Sequence, residues 1–225
     1  MKNFLSIVLA STLAVGFTAV SVAQDAPKDG PKERARPERP IRRAAEKAIE
    51  SASTAKVGEA APAFTLKDAD GKDWSLADAK GKVVVLEWIN PECPVCEGVM
   101  KDGTVAATVK GCREQFGDVV YVAINSSASR PSSFDKTPAY MKDNKMDIPA
   151  LFDRDGKVGK SYGARTTPHC FVIDAKGVLV YKGAINNSND GDGKTNYVVQ
   201  AVTQLKKGEK VTPSETKPFG CGVKY

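Results

Sequence analysis

The chain has 225 residues, with 33 Lys and Arg against 27 Asp and Glu, a single His and a formal net charge of +6. No nucleic-acid-binding motif accompanies that basic balance, and a positive excess alone is not a binding site, so nucleic acid is not an expected partner. Five cysteines are present, an odd count that internal pairing cannot exhaust.

The N-terminus reads Met1-Lys2-Asn3, then an apolar stretch from Phe4 to Val20, then Ser21-Val22-Ala23, a small-x-small site before Gln24. This is the pattern of a secretory signal peptide over residues 1–23, with cleavage expected after Ala23. An uncleaved anchor is the alternative, although the stretch is rich in Ser, Thr and Gly. No other transmembrane candidate follows, so the mature chain is expected to be soluble and exported, periplasmic or secreted, where disulfides persist. Residues 24–56 carry Pro27, Pro31, Pro37 and Pro40 among many charges and few large apolar residues. Such a segment cannot build a core and reads as a charged, Pro-rich disordered linker, with a transient helix over 41–51.

Residues 57–225, roughly 170 of them, make one domain of ordinary size. Strands are expected at 83–89, 119–125, 150–152, 171–173 and 178–181, and helices near 95–116, 135–145 and 197–207. That alternation predicts an α/β class fold with helices layered on a sheet.

The central motif is Pro91-Glu92-Cys93-Pro94-Val95-Cys96, which follows the apolar run Val83-Val84-Val85-Leu86. It places two thiols one helical turn apart at a strand-to-helix turn. The unpaired N–H groups and positive dipole end of a helix N-terminus favour an anion, so one thiol should ionise below the ordinary value of about 8.5. A thiolate one turn from a second thiol supports thiol–disulfide exchange, in which one cysteine attacks and the other resolves. A zinc site is the first alternative, but no second Cys pair and no His-x-x-x-His is present to close the tetrahedron. An inert structural disulfide is the second, but so short a loop adds little chain constraint.

Downstream, Thr166-Thr167-Pro168-His169-Cys170 leads into the strand Phe171-Val172-Ile173. A proline at the head of a core strand indicates a special turn, consistent with a cis peptide. Cys112 lies some 24 Å along the expected helix from Cys96, too far to pair with it, and a Cys112–Cys221 staple remains open. Cys170 reads first as a small buried strand residue. The run from Asn186 to Gly193 looks like a calcium loop but lacks the closing Glu, so it reads as a surface loop.

Taken together, Glu87-Trp88 with Cys93-Pro94-Val95-Cys96, the later Thr167-Pro168, and the opening Ala61-Pro62-Ala63-Phe64-Thr65-Leu66 with Asp70-Gly71-Lys72 and Ser75-Leu76 resemble the thioredoxin superfamily. The branch resembled is the redoxin or peroxiredoxin-like, AhpC/TSA-type group with a Cys-x-x-Cys active site. The ending Pro218-Phe219-Gly220-Cys221-Gly222-Val223-Lys224-Tyr225 is similar to the Gly-Cys tail of such proteins.

The resemblance implies a thioredoxin-like three-layer α/β/α sandwich with a mixed central sheet. It also implies an enzyme, an exported thiol–disulfide oxidoreductase that cycles Cys93 and Cys96 between dithiol and disulfide without a cofactor. Antioxidant, peroxiredoxin-like activity would be a further capacity. Cys93 would attack, Cys96 resolve, Pro168 lie against the pair and offer backbone to an incoming thiol, and Glu87 move protons with a pKa raised by burial. Partners would be protein or small-molecule thiols and disulfides, including a membrane redox partner.

The chain departs from the peroxidase pattern: before Cys96, Ile89 and Cys93 stand where a proline and a Thr or Ser are expected. The arginine expected near Pro168 is also missing, with Arg165 the nearest substitute. The alternative function is a Cu(I)-binding, thioredoxin-like metallochaperone using Cys93, Cys96 and His169, since soft thiolates select Cu(I).

Overall fold

In the computed structural model, the described residues are 54–189 and 191–225. The signal segment expected at 1–23 and nearly all of the linker expected at 24–56 lie outside them. Among the described residues, no helix is long and apolar enough to cross a membrane.

The strands are β1 (Thr65–Asp68), β2 (Asp73–Ser75), β3 (Val84–Trp88), β4 (Val120–Asn125), β5 (Ala150–Phe152), β7 (His169–Ile173) and β8 (Leu179–Gly183), with β-branched and aromatic residues concentrated in β3, β4 and β7. They form a seven-stranded sheet in the order β2-β1-β5-β4-β3-β7-β8. The central trio β3, β4 and β5 is parallel, while β7 and β8 on one side and β1 and β2 on the other run antiparallel. A separate pair is formed by β6 (Thr166–Thr167) and β9 (Cys221–Gly222).

Helices α1 (Pro94–Lys101), α2 (Thr104–Gln115), α3 (Ser132–Asp143) and α5 (Tyr197–Lys206) cover one face, where Val85, Tyr121, Cys170 and Val172 meet Val99, Val109, Met141 and Val202. The other face carries Leu86, Trp88, Ile124, Phe171 and Ile173, packed with Phe64, Leu179 and Tyr162 of the short helix α4 (Lys157–Tyr162). The result is the expected thioredoxin-like α/β sandwich, with one thick and one thin outer layer. Both faces of β3 and β7 are buried, and each large apolar side chain removed from water there contributes about 1.5–3 kcal/mol.

Three expectations on elements need correction. The single helix expected over 95–116 is two helices, because Asp102 caps α1 and Gly103 takes φ +83° ahead of α2. Helix α4, flanked by left-handed Gly156 and Gly163, was not anticipated: six residues between glycines carry too little apolar period to read. Packing also starts ahead of Val57, since Ala55 is buried and the amides of Thr54 and Ala55 both donate to the Ser161 carbonyl.

The C-terminal tail is fastened at several points. Its β9 pairs antiparallel with β6, setting Cys221 opposite Thr167 and Gly222 opposite Thr166. Beyond it, Val223 N–H donates to Arg165 O, Ser129 N–H donates to Lys224 O at 2.9 Å, and the Tyr225 hydroxyl donates to Ala164 O at 2.7 Å.

Candidate active site

The loop between β3 and α1 sets the position of Cys93. Its amide donates to Asn90 O at 2.9 Å, and its carbonyl receives the Glu97 amide, so Cys93 is the N-cap of α1 with Pro94 at the first helical position. Asn90, itself buried, accepts from the Glu92 amide at 2.8 Å and from the Ser133 hydroxyl at 3.0 Å. Ser133 in turn receives a hydrogen bond from Asn125, which ties the loop to β4 and α3.

Cys96 lies one turn further on, and both sulfurs belong to residues only 1% exposed. Burial pushes the Cys96 thiol up, helped by its hydrogen bond and charge interaction with Cys93. Cys93 moves the other way, to about 4. The hydrogen bond from the Cys96 side chain is the leading cause, burial opposes it, and Cys221, the Cys96 backbone amide and Thr167 add to the lowering. One negative charge therefore sits on Cys93 at the helix N-terminus while Cys96 holds a proton. In its protonated state Cys93 Sγ donates to the Thr167 carbonyl at 3.1 Å.

Thr167 precedes Pro168 across a cis peptide bond, as the proline's place at a strand head suggested. The Tyr140 hydroxyl donates to Cys96 O at 3.0 Å and pins the first turn of α1 to α3.

Glu87 is on β3, on the same face as the sulfurs, directly across from Cys170. It is 1% exposed, and its carboxylate accepts a 2.6 Å hydrogen bond from the Tyr121 hydroxyl. Burial raises its pKa to about 7 and the Tyr121 bond lowers it by less. Glu87 and Cys96 interact electrostatically: the carboxylate is one of the groups that hold the Cys96 proton on. The fold thus brings Cys93, Cys96, Glu87 and Pro168 together, and adds Tyr121, Thr167 and Cys221, which sequence reasoning did not place there. The Gly-Cys tail was the only signal for Cys221, and it did not say what the thiol would meet.

His169 does not join them. In β7 its neighbour Cys170 faces the helices that carry the sulfurs, so His169 faces the opposite side. Its ring packs at 4.4 Å from that of Phe171, its Nδ1 accepts from the Arg165 amide at 3.2 Å, and burial pushes its pKa down to about 3. It lines a cavity of about 270 Å³ with Arg165, Lys182 and Tyr162. The Cu(I) set of Cys93, Cys96 and His169 is therefore corrected: strand alternation puts the imidazole across the sheet from both sulfurs. Among the described residues, no three His, Cys, Asp or Glu side chains are grouped to hold a metal ion. Arg165, the candidate substitute for the peroxidase arginine, also lines the cavity on the His169 side.

Nor is the Cys112–Cys221 staple made. Cys112 is buried in the core near Cys170 and Tyr121 with its pKa pushed up to about 12, whereas Cys221 lies against Cys93. Cys170 is the small buried strand residue expected. The loop after Asn186 closes on itself through the Asn187 and Asp192 side chains.

Comparison with known proteins places the chain in a family. The chain is 33% identical over 130 residues to the chloroplastic peroxiredoxin Q of Populus jackii, covering 54% of this chain and 57% of that one. It is 29% identical over 123 residues to the thiol-disulfide oxidoreductase ResA of Bacillus subtilis, covering 55% of this chain and 64% of that one. The crystal structure of a hypothetical protein from Sinorhizobium meliloti superposes with a TM-score of 0.66 at 26% identity, over 77% of this chain and 96% of that one. The AhpC/TSA family model matches residues 57–182, more than half of the sequence, and the chain belongs to the AhpC/TSA family.

Proposed function

We propose that Cys93 and Cys96 are the working pair of a thiol–disulfide oxidoreductase. The observation that carries this reading is the opposite displacement of two adjacent thiols, Cys93 down to about 4 and Cys96 well up, above a carboxylate raised to about 7. Groups whose environments push their pKa values apart are what paired attack and resolution require.

In the reducing direction the Cys93 thiolate attacks one sulfur of a substrate disulfide, and the other sulfur leaves as a thiolate that takes up a proton. The Glu87 carboxylate accepts the Cys96 proton, Cys96 then attacks Cys93, and the second substrate sulfur leaves as a thiolate that takes up the proton from Glu87. The pair ends as a disulfide, and the substrate has gained two electrons and two protons. The Thr167 carbonyl, one residue before Pro168, faces the sulfur at which substrate arrives. Run backwards, the same steps oxidise a dithiol.

Disulfide exchange is ranked ahead of peroxide reduction because Ile89 and Cys93 replace the peroxidase proline and threonine, and Arg165 lines a cavity on the other face of the sheet. The signal pattern over 1–23 supports export to a compartment where protein thiols and disulfides, including those of a membrane redox partner, are the substrates. Turnover of an insulin-type disulfide, peptide mapping of a Cys93–Cys96 disulfide after oxidation, and the N-terminal mass of the exported chain test these statements in turn. Fast peroxide reduction without disulfide turnover would overturn the ranking.

A further inference from the structure

Cys93 is 1% exposed, which is unusual for a thiol that must meet an external partner, and the structure identifies what lies over it. Strand β9 is paired to β6 with Cys221 opposite Thr167, the residue whose carbonyl faces Cys93 Sγ. The Cys221 thiol is close enough to Cys93 for each to shift the other's ionisation, Cys93 downward and Cys221 upward. Gly220, at φ +122°, makes this approach: any side chain there would run into the Thr167 carbonyl and the Pro168 ring. The anchors at Val223, Lys224 and Tyr225 hold the strand from its other end. Cys221 is also the one thiol of the three that is partly exposed.

We propose that Cys221 is a third redox cysteine, and that the C-terminal strand is a built-in exchange partner through which disulfides pass between the buried pair and external thiols. This rests on the reading of Cys93 and Cys96 given above. The step is an isomerisation that needs no outside oxidant. Cys221, deprotonated, attacks Cys93 Sγ of the Cys93–Cys96 disulfide, the bond to Cys96 breaks, and Cys96 leaves as a thiolate and takes up the proton that Cys221 lost. The disulfide has moved to Cys93–Cys221 with no net change in electrons. A partner thiolate then attacks Cys221 and expels Cys93, whose depressed pKa makes it the better leaving group. The partner's second thiol attacks its own sulfur in that mixed disulfide, releasing Cys221, so the partner is oxidised by two electrons and the protein holds three thiols. Because β9 already occupies the free edge of β6, an extended substrate strand can pair there only by displacing the tail.

The test uses the full chain with Cys96→Ser, reduced and then exposed to oxidised glutathione at about 1 mM, acid-quenched, alkylated and peptide-mapped. A tethered thiol in contact with Cys93 acts at an effective concentration above that of glutathione, so Cys93–Cys221 is the expected product. The Cys96→Ser/Cys221→Ser protein should instead carry at least about tenfold more glutathione on Cys93. Equal glutathionylation of Cys93 in the two variants would overturn the proposal. Should loss of the buried Cys96 thiol impair folding, oxidised wild-type protein mapped the same way is the second measurement, with Cys93–Cys221 expected beside Cys93–Cys96. A Cys93–Cys96 disulfide with no Cys93–Cys221 at any oxidant dose overturns the tail inference alone, whereas an oxidised protein without Cys93–Cys96 overturns the oxidoreductase reading beneath it.

Discussion

Glu87 and Trp88 are neighbours on β3 and both are buried, yet they belong to opposite chemistries because successive strand residues face opposite sides of the sheet. Glu87 looks toward α1 with the sulfurs, where a carboxylate is held near pH 7 and two thiols are pushed in opposite directions. Trp88 looks toward Phe171 and Tyr162, and across from it His169 packs tilted against Phe171 as a neutral ring. Both faces contain a buried ionisable group. Only the first puts that group near a thiol depressed to about 4 at a helix N-terminus, and this placement, not burial, separates the proposed reaction centre from a polar residue in a core.

The largest test of that difference is Cys93→Ser, which should lower disulfide turnover by on the order of a thousandfold or more, measured with an insulin-type substrate, since it removes the proposed nucleophile. Turnover within tenfold of wild type would mean that the reactive face has been misassigned.

Next is Glu87→Gln, which keeps the shape and the Tyr121 partner but removes the proton acceptor. Turnover at pH 8 should fall by roughly a hundredfold, and the rise in rate through pH 7 should flatten. An unchanged pH profile would reduce Glu87 to a packing residue.

Stability should separate the faces by sign. Glu87 has a folded pKa raised from 4.5 to about 7, so the folded state binds the extra proton and stability falls as pH rises through that window. His169 has a folded pKa lowered from 6.5 to about 3, so the unfolded state binds the extra proton and stability is lost as pH falls through that window. Between pH 5 and 6 the two slopes oppose each other. Glu87→Gln should therefore gain on the order of 3 kcal/mol relative to wild type on going from pH 5 to pH 8, read by urea denaturation. A gain of the same size at both pH values would show that the carboxylate is not titrating in the fold.

The smallest expected effect is on catalysis by His169→Ala. Losing the ring should cost about 1–3 kcal/mol of stability, while disulfide exchange stays within a few-fold of wild type, because the imidazole is across the sheet from the sulfurs. A drop in turnover of a hundredfold at retained stability would connect the two faces functionally.

Much of this site is written locally. An apolar β-branched run, a turn and two cysteines one helical turn apart place Cys93 at an N-cap whatever else the chain does, and Glu87 keeps its place six residues earlier on the strand. Pro168 at the head of β7 marks the second wall of the site in the same way. The division of 95–116 into α1 and α2 was less visible, since it depends on Gly103 taking a left-handed backbone conformation that no apolar period reveals. The reading of His169 as a ligand failed because closeness in sequence to Pro168 says nothing about which face of β7 a side chain takes.

What the sequence alone determined is the parts and their local geometry: a helix-capping thiol, a second thiol one turn on, an acid on the preceding strand, and a proline before the next strand. Hydrogen-bonded turns and strand periodicity act over a few residues, so these follow from the local text. Only the tertiary structure decided that Glu87 is sealed from water, that His169 is on the far face, and that Cys221 is folded back against Cys93. Burial and the meeting of remote segments depend on the whole sheet assembling and on a tail anchored far from the motif it covers.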